Sequence, residues 1–202
     1  MKLSVEEKIE AVAKQLGSRI REARRAKNIT LEKLSAETDL SAGFLSRLER
    51  GETSASISNL IVISGRLGIP LRDFFEDPEA QPLPEYVVTR AKNRADRAPL
   101  TAAGYTYRLT SGDLADQQMS AFELSFPPGE KMAPKLVSHK GEEVLYLLEG
   151  TIEFRIGSDR FVMNAGDCVH FNSDKMHMGK NIGKTVARLL MVVTPVSSIE
   201  GH

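Results

Sequence analysis

Apolar residues recur at helical spacing through the first part of the chain and at strand spacing through the second. Ile9, Val12, Ala13, Leu16, Ile20 and Ala23 fall on one face at steps of three and four, as in an amphipathic helix. Lys27 and Asn28 end that run. Thr30 suits the cap of a second short helix, LEKLSAE. Asp39-Leu40-Ser41 reads as a turn, with Ser41 capping a third helix, AGFLSRLER, that Gly51 closes. A fourth, SNLIVISGRL, stops at Gly68, and Pro70 suits the first position of a fifth, LRDFFED.

The texture changes near Asp77. DPEAQPLPEY holds three prolines in ten residues and reads as a linker. TRAKNRADR follows; between a contact to DNA phosphates and a solvated linker edge, the edge is the plainer reading. From about Tyr86 the pattern is that of strands. TIEFRI alternates, with Ile152, Phe154 and Ile156 on one side. Short apolar runs recur at MSAFELSF, VLYLL, FVM, CVHF and ARLLMVV, punctuated by PPGE, GSD, NAGD and NSD. Many short strands at this spacing predict a closed barrel or sandwich.

Composition adds little to this. The 202 residues are 41% hydrophobic and 27% charged, with zero formal net charge, which is ordinary for a soluble globular chain. No apolar run approaches the ~20 residues of a membrane span, and no membrane partner is expected. One cysteine, Cys168, rules out an intrachain disulfide and fits a cytoplasmic location. Cys168 and His170 share a strand face by spacing. A Cys-His nucleophile pair is one reading and a packed core cysteine the expected one. The charge is uneven, however. From Ala11 to Arg72 there are 11 Lys/Arg against 6 Asp/Glu, a basic segment that suits a polyanion. Arg21, Arg24 and Arg25 form one face of the first helix, either reaching phosphates or simply solvated.

The segment from about Leu16 to Phe75 resembles the helix-turn-helix of the phage-repressor (xenobiotic-response-element) family. The resemblance rests on Thr30, Leu34, Ser41, Leu45, Leu48, Glu49, Gly51, Ser56, Leu60, Leu67, Phe74 and Phe75. An exposed helix fits the DNA major groove, and the third helix is that element. Leu45 and Leu48 point inward against Leu34 and Leu60, leaving Ala42, Gly43, Ser46 and Arg47 outward. The resemblance implies that these four contact bases, with Thr30 and Ser41 completing the DNA-binding set. Arg47 can bond a guanine edge bidentately. Glu49 reads as a structural partner within the domain. Leu31 stands where many relatives carry glutamine, and Ala55 where many carry proline.

From about Tyr105 to Pro195 the chain resembles a small cupin. The first cupin motif reads as Gly129, His139, Glu143 and Gly150; the second reads as Gly166, His177 and Asn181. In metal-binding cupins two histidines one residue apart precede the glutamate. His139 matches the second of them and Val137 occupies the place of the first. Asn172 and Asp174 also replace the usual proline and glycine. The resemblance therefore leaves three readings open. His139, Glu143 and His177 can hold a divalent metal, with Glu123 as a further carboxylate. With Leu145 and Leu147 on the same face, they can instead anchor a small effector. Or they can hydrogen-bond within the barrel. Effector binding, with no cofactor required, is the favoured expectation.

The expected fold is α+β in two domains. A five-helix repressor-like domain spans 11–77. A linker with the first cupin strand spans 78–104. An all-β cupin barrel, a double-stranded β-helix or jelly roll, spans 105–197. The function this implies is a transcriptional regulator, not an enzyme. Its partners would be a double-stranded DNA operator, a small-molecule metabolite effector and a second copy in a homodimer. The main rival is a metal-dependent cupin oxygenase or epoxidase with an attached helical domain. A second rival is a binding protein whose helices make only protein contacts.

Overall fold

The computed structural model describes residues 4–75, 84–94, 99–102, 104–112, 114, 117–129 and 136–194. Most of the prolyl linker and part of TRAKNRADR lie outside those residues. The helical half opens with α1 (Val5–Ala26), capped by Ser4 and Glu7 in a reciprocal capping box. Then come α2 (Leu31–Thr38), α3 (Ala42–Glu49) and α4 (Ile57–Leu67). Thr30, Ser41 and Ser56 each cap the next helix by accepting a backbone N–H, from Lys33, Phe44 and Asn59. Gly68 stops α4 in the left-handed region, at φ 60°.

The fifth helix of this half is not formed. Pro70 leads into a single 3-10 turn, Leu71–Phe74. The two aromatics there are needed on opposite sides. Phe74 is buried in the core, while the Phe75 ring lies 5.6 Å from Phe122 on the β-half.

The core of the helical half is Leu16, Ile20, Leu34, Leu45, Leu48, Leu60, Leu67 and Phe74. At its edge lies a buried ion pair. Arg24 donates to both oxygens of Glu49, Nε at 2.6 Å and Nη2 at 2.8 Å, and its Nη1 donates to the Ile29 carbonyl at 2.7 Å. Arg24 is therefore no part of a solvated arginine face; Arg21 and Arg25 remain exposed. Where α1 crosses α3, Gly17 has no side chain for good reason. A Cβ there would sit 2.3 Å from the Leu48 carbonyl oxygen.

A short helix α5 (Ala91–Arg94) precedes nine antiparallel strands. They are β1 (Leu100–Ala102), β2 (Tyr105–Leu109), β3 (Ser120–Phe126), β4 (Glu142–Glu149), β5 (Thr151–Ile156), β6 (Asp159–Asn164), β7 (Cys168–Asn172), β8 (His177–Asn181) and β9 (Ala187–Val193). They form a six-stranded sheet, β1-β2-β3-β9-β4-β7, and a three-stranded sheet, β6-β5-β8. Among the described residues the barrel is not closed, because three strands face six. The uncovered inner face of β2 and β3 is met by the helical half. The Tyr105 hydroxyl accepts from the Ile57 N–H at 3.3 Å, and the Tyr107 hydroxyl donates to the Ala55 carbonyl at 3.0 Å. Arg72 Nη1 donates to the Leu114 carbonyl at 2.6 Å. No helix among the described residues is long and apolar enough to cross a membrane.

Replacing Glu49 with alanine leaves the Arg24 guanidinium buried without its carboxylate. We expect a loss of about 3 kcal/mol or more in urea unfolding of the full chain. A loss below about 1 kcal/mol would mean that water already screens the pair.

Candidate functional site

Two places in the fold gather the residues that carry chemistry. The first is α3. Its N-cap Ser41 fixes the start, and Leu45, Leu48 and Glu49 turn into the domain. Gly43 and Arg47 are exposed, while Ala42 and Ser46 are half-buried. Arg47 lies back along the helix, close enough that a Cβ on Gly43 would sit 3.8 Å from its Nη1. Ser46 is bonded by Arg50, which also grips both oxygens of Glu52 at 2.7 Å. Arg50 was not singled out by the sequence pattern, and its charge is largely spent on Glu52. Thr30 and Ser41 stand at the N-termini of α2 and α3 as capping residues.

The second place is the inner face of β4. Alternation puts Glu143, Leu145 and Leu147 on one buried face, as their spacing predicts. His139 approaches from the segment before β4, held by its N–H to the Ser173 carbonyl. His177 opens β8 and pairs with Val137 in an isolated bridge. The ligand atoms of His139, Glu143 and His177 all lie within 4.8 Å of one another. His139 Nε2 is 2.6 Å from Glu143 Oε1, and His177 Nε2 is 3.5 Å from the same oxygen.

Carbonyl oxygens fix the two imidazoles from behind. His139 Nδ1 faces the Lys140 carbonyl at 3.1 Å, and His177 Nδ1 faces the Lys175 carbonyl at 2.8 Å. A carbonyl only accepts, so each Nδ1 carries the proton and each Nε2 turns its free position to Glu143. The 2.6 Å contact between His139 Nε2 and Glu143 Oε1 is a hydrogen bond, so a shared proton occupies the point where the three ligand atoms meet, a place a cation could take instead. Burial pushes the Glu143 carboxyl up, but hydrogen bonds and charge from His139 and His177 outweigh it and hold its pKa below the ordinary value. Burial pulls His177 down, and Glu143 together with the Lys175 carbonyl more than restores it, so its pKa is raised. The same donor set, with backbone carbonyls orienting both imidazoles, fits a divalent transition metal. Val137 makes the place of a fourth protein donor apolar.

The cavity beside this triad is small and is shared between the two halves. Ile57 and Ser58 of α4 line it together with Leu124, Val137, Glu143, His177, Met178 and Met191. The space open to the centre of a water molecule is about 10 Å³, room for about one water or one ion. Leu145 and Leu147 share the face of Glu143 but do not line this cavity. Ile57 and Ser58 carry no signal in the sequence, since they look like any first turn of an amphipathic helix.

Two expectations about neighbouring residues need correction. Cys168 is exposed, not packed in the core. On β7 it is Val169 and Phe171 that pack inward, so Cys168 and His170 share the outer face. His170 pairs there with Glu142 at 3.0 Å. Glu123 lies on the outer face of β3 and takes Arg188 Nη2 at 2.7 Å, so it is no part of the triad. Asn181, from the second motif, is a buried brace. Its Nδ2 donates to the carbonyls of Phe126 and Thr185.

Comparison with known proteins agrees with this division. Residues 20–74 match the helix-turn-helix family and residues 122–193 match the cupin domain family. The chain thus carries a helix-turn-helix domain followed by a cupin domain. It is 23% identical over 181 residues to the HTH-type transcriptional regulator PuuR of Escherichia coli (strain K12), covering 90% of this chain and 95% of that one. It is 21% identical over 178 residues to the HTH-type transcriptional regulator SutR of the same organism, covering 87% and 92%. The crystal structure of an HTH_3-family transcriptional regulator from Vibrio cholerae superposes with a TM-score of 0.67 at 19% identity, covering 92% of this chain and 97% of that one.

The triad gives this regulator a pH signature. Glu143, with its pKa lowered, contributes stability above the ordinary carboxylate range and loses it as pH falls through the lowered value. His177, with its pKa raised, contributes fully below the ordinary imidazole value and loses that as pH rises through the raised one. Thermal unfolding with a chelator present should peak between those limits, and Glu143→Gln should flatten both flanks. Parallel pH profiles for the two proteins would contradict the triad.

Proposed function

We propose that this chain is a sequence-specific DNA-binding transcriptional regulator whose cupin domain binds a small-molecule effector and performs no chemistry. One observation carries the reading. The helix α3 commits its apolar side to the core and leaves Gly43 and Arg47 exposed, inside a matched helix-turn-helix domain followed by a cupin. Arg47 reads a base edge, and Ala42 and Gly43 offer only van der Waals contact. The N-termini of α2 and α3, at Thr30 and Ser41, suit backbone phosphates. A homodimer in the cytoplasm would present two such helices to half-sites about one helical turn apart, roughly 34 Å.

In the cupin, His139, Glu143 and His177 are the polar anchors and Leu124, Val137, Met178 and Met191 the apolar wall, while Leu145 and Leu147, on the same strand face as Glu143, lie outside the cavity. A buried carboxylate between two imidazoles suits a ligand that donates hydrogen bonds or carries positive charge. A second reading is favoured by the convergence of three possible ligand atoms on one point. There His139, Glu143 and His177 hold a divalent metal, which when bound would supply Lewis acidity or a seat for an anionic group. The side chains would then fix the metal and their carbonyl partners would keep the imidazoles oriented.

Two measurements test these readings. Arg47→Ala should weaken binding to a selected operator by ~1–3 kcal/mol and relax preference at one base pair; unchanged affinity in a folded variant would remove Arg47 from the contact set. Elemental analysis of protein purified without chelators should find far less than one metal per chain. Near one equivalent of iron, nickel or zinc, lost in His177→Ala, would overturn the effector-only reading.

A further inference from the structure

We propose that the outer face of the three-stranded sheet binds the phosphate group of a small phosphomonoester, in an open cavity built by Arg155, Arg160 and Lys180. This site is separate from the triad and does not depend on how the triad is read.

The cavity lies across β5, β6 and β8. About 240 Å³ of it is open to the centre of a water molecule, and Glu153, Arg155, Arg160, Met178, Gly179 and Lys180 line it. Ile152 and Phe154 of β5, Met163 of β6, and His177 and Asn181 of β8 are buried on the inner face. Alternation therefore sends Glu153, Arg155, Arg160 and Lys180 to the outer face. The volume falls just under the range of pockets that enclose a drug-sized ligand, so it suits a smaller one.

The charges in this cavity do not balance. Arg155 and Arg160 stand directly opposite each other in the β5–β6 ladder, and like charges at paired positions destabilise a sheet. One carboxylate, Glu153, lines the cavity with them. It reaches Arg160 only at 3.7 Å and faces Lys180 across the β5–β8 ladder. Three cations thus surround one anion, and the surplus matches a phosphomonoester dianion.

Arg155 is also prepared for a ligand. Its Nε donates to the Gly157 carbonyl at 2.9 Å, which orients the guanidinium. Among the described residues nothing else bonds it, so both Nη groups keep their donors. Lys180 likewise has no bonded partner among the described residues. A planar guanidinium offers parallel N–H donors to two phosphate oxygens. The cations come from three strands and line one cavity. A nucleic-acid backbone would match cations spread along a row of phosphates, whereas one compact dianion matches this cluster.

The test uses the full chain, with methyl phosphate as the probe at about pH 8, where it is a dianion. Isothermal titration calorimetry in chloride buffer should show saturable binding. Arg155→Gln and Arg160→Gln should each weaken it roughly tenfold, the loss expected for charge-assisted hydrogen bonds. Lys92→Gln, which removes an equal charge from an exposed position on α5, should leave it unchanged. Succinate, a dianion built from carboxylates, should bind more weakly than methyl phosphate. In phosphate-free buffer Arg160→Gln should melt no lower than the wild type, because it relieves the opposed charges. A lower melting temperature would make the arginine pair structural and overturn the site. So would the absence of saturable binding, equal weakening in Lys92→Gln, or succinate binding as tightly. Loss of affinity for a duplex of unrelated sequence in Arg155→Gln, with methyl phosphate unbound by the wild type, would overturn it in favour of a DNA contact.

Discussion

The arrangement of this molecule depends on the seat of α4 on β2. Tyr105 and Tyr107 are inner-face residues of a sheet whose opposing sheet is too narrow to reach them. Left to water, two phenol rings and the neighbouring Phe122 would be a large exposed apolar surface, and burying each ring is worth on the order of 2 kcal/mol. The helical half covers them, and each hydroxyl finds a backbone partner next to the α4 N-terminus. A sheet left short of strands is thus completed by a helix from another domain. That substitution places the helix-turn-helix unit against the cavity beside the triad.

Two buried ionic groups stand on either side of this seat and differ in kind. Arg24 and Glu49 satisfy each other with paired hydrogen bonds and add the Ile29 carbonyl, so the pair is complete within the helical half. It ties α1 to the end of α3. The triad of His139, Glu143 and His177 is not complete in the same way. Both imidazoles are fixed by carbonyls from behind, and the nitrogen and oxygen atoms that meet in front are held together by a shared proton. Such a centre can exchange its proton for a cation or a donor group, which the completed Arg24–Glu49 pair cannot.

The local signals in the sequence were the legible ones. Thr30, Ser41 and Gly68 act within a few residues of where they stand, so the caps and stops of α2, α3 and α4 follow from them. The alternation of Glu143, Leu145 and Leu147 likewise needs only the strand. Spacing failed where a partner lay far along the chain. Arg24 shares a helical face with Arg21 and Arg25 until Glu49, 25 residues on, claims it. The last helix is a single turn, followed by Phe75 packed on the distant Phe122. Cys168 sits among apolar residues, but Val169 and Phe171 took the inward positions. The closed barrel was expected because strands alone were counted. Ile57 and Ser58 were invisible as pocket residues, since nothing local says that a helix start will face another domain's histidines.

The central claim is that α3 reads DNA as part of a two-fold pair joined to a ligand pocket. The most direct measurement is selection of bound duplexes by the full chain from a random pool, at a fixed salt concentration because phosphate contacts are salt-dependent. The account predicts enrichment of a sequence with two inverted half-sites about one helical turn apart, ~10 base pairs centre to centre, and loss of preference at one position in each half-site for Arg47→Ala. A pool that returns unenriched from protein shown to be folded would contradict it.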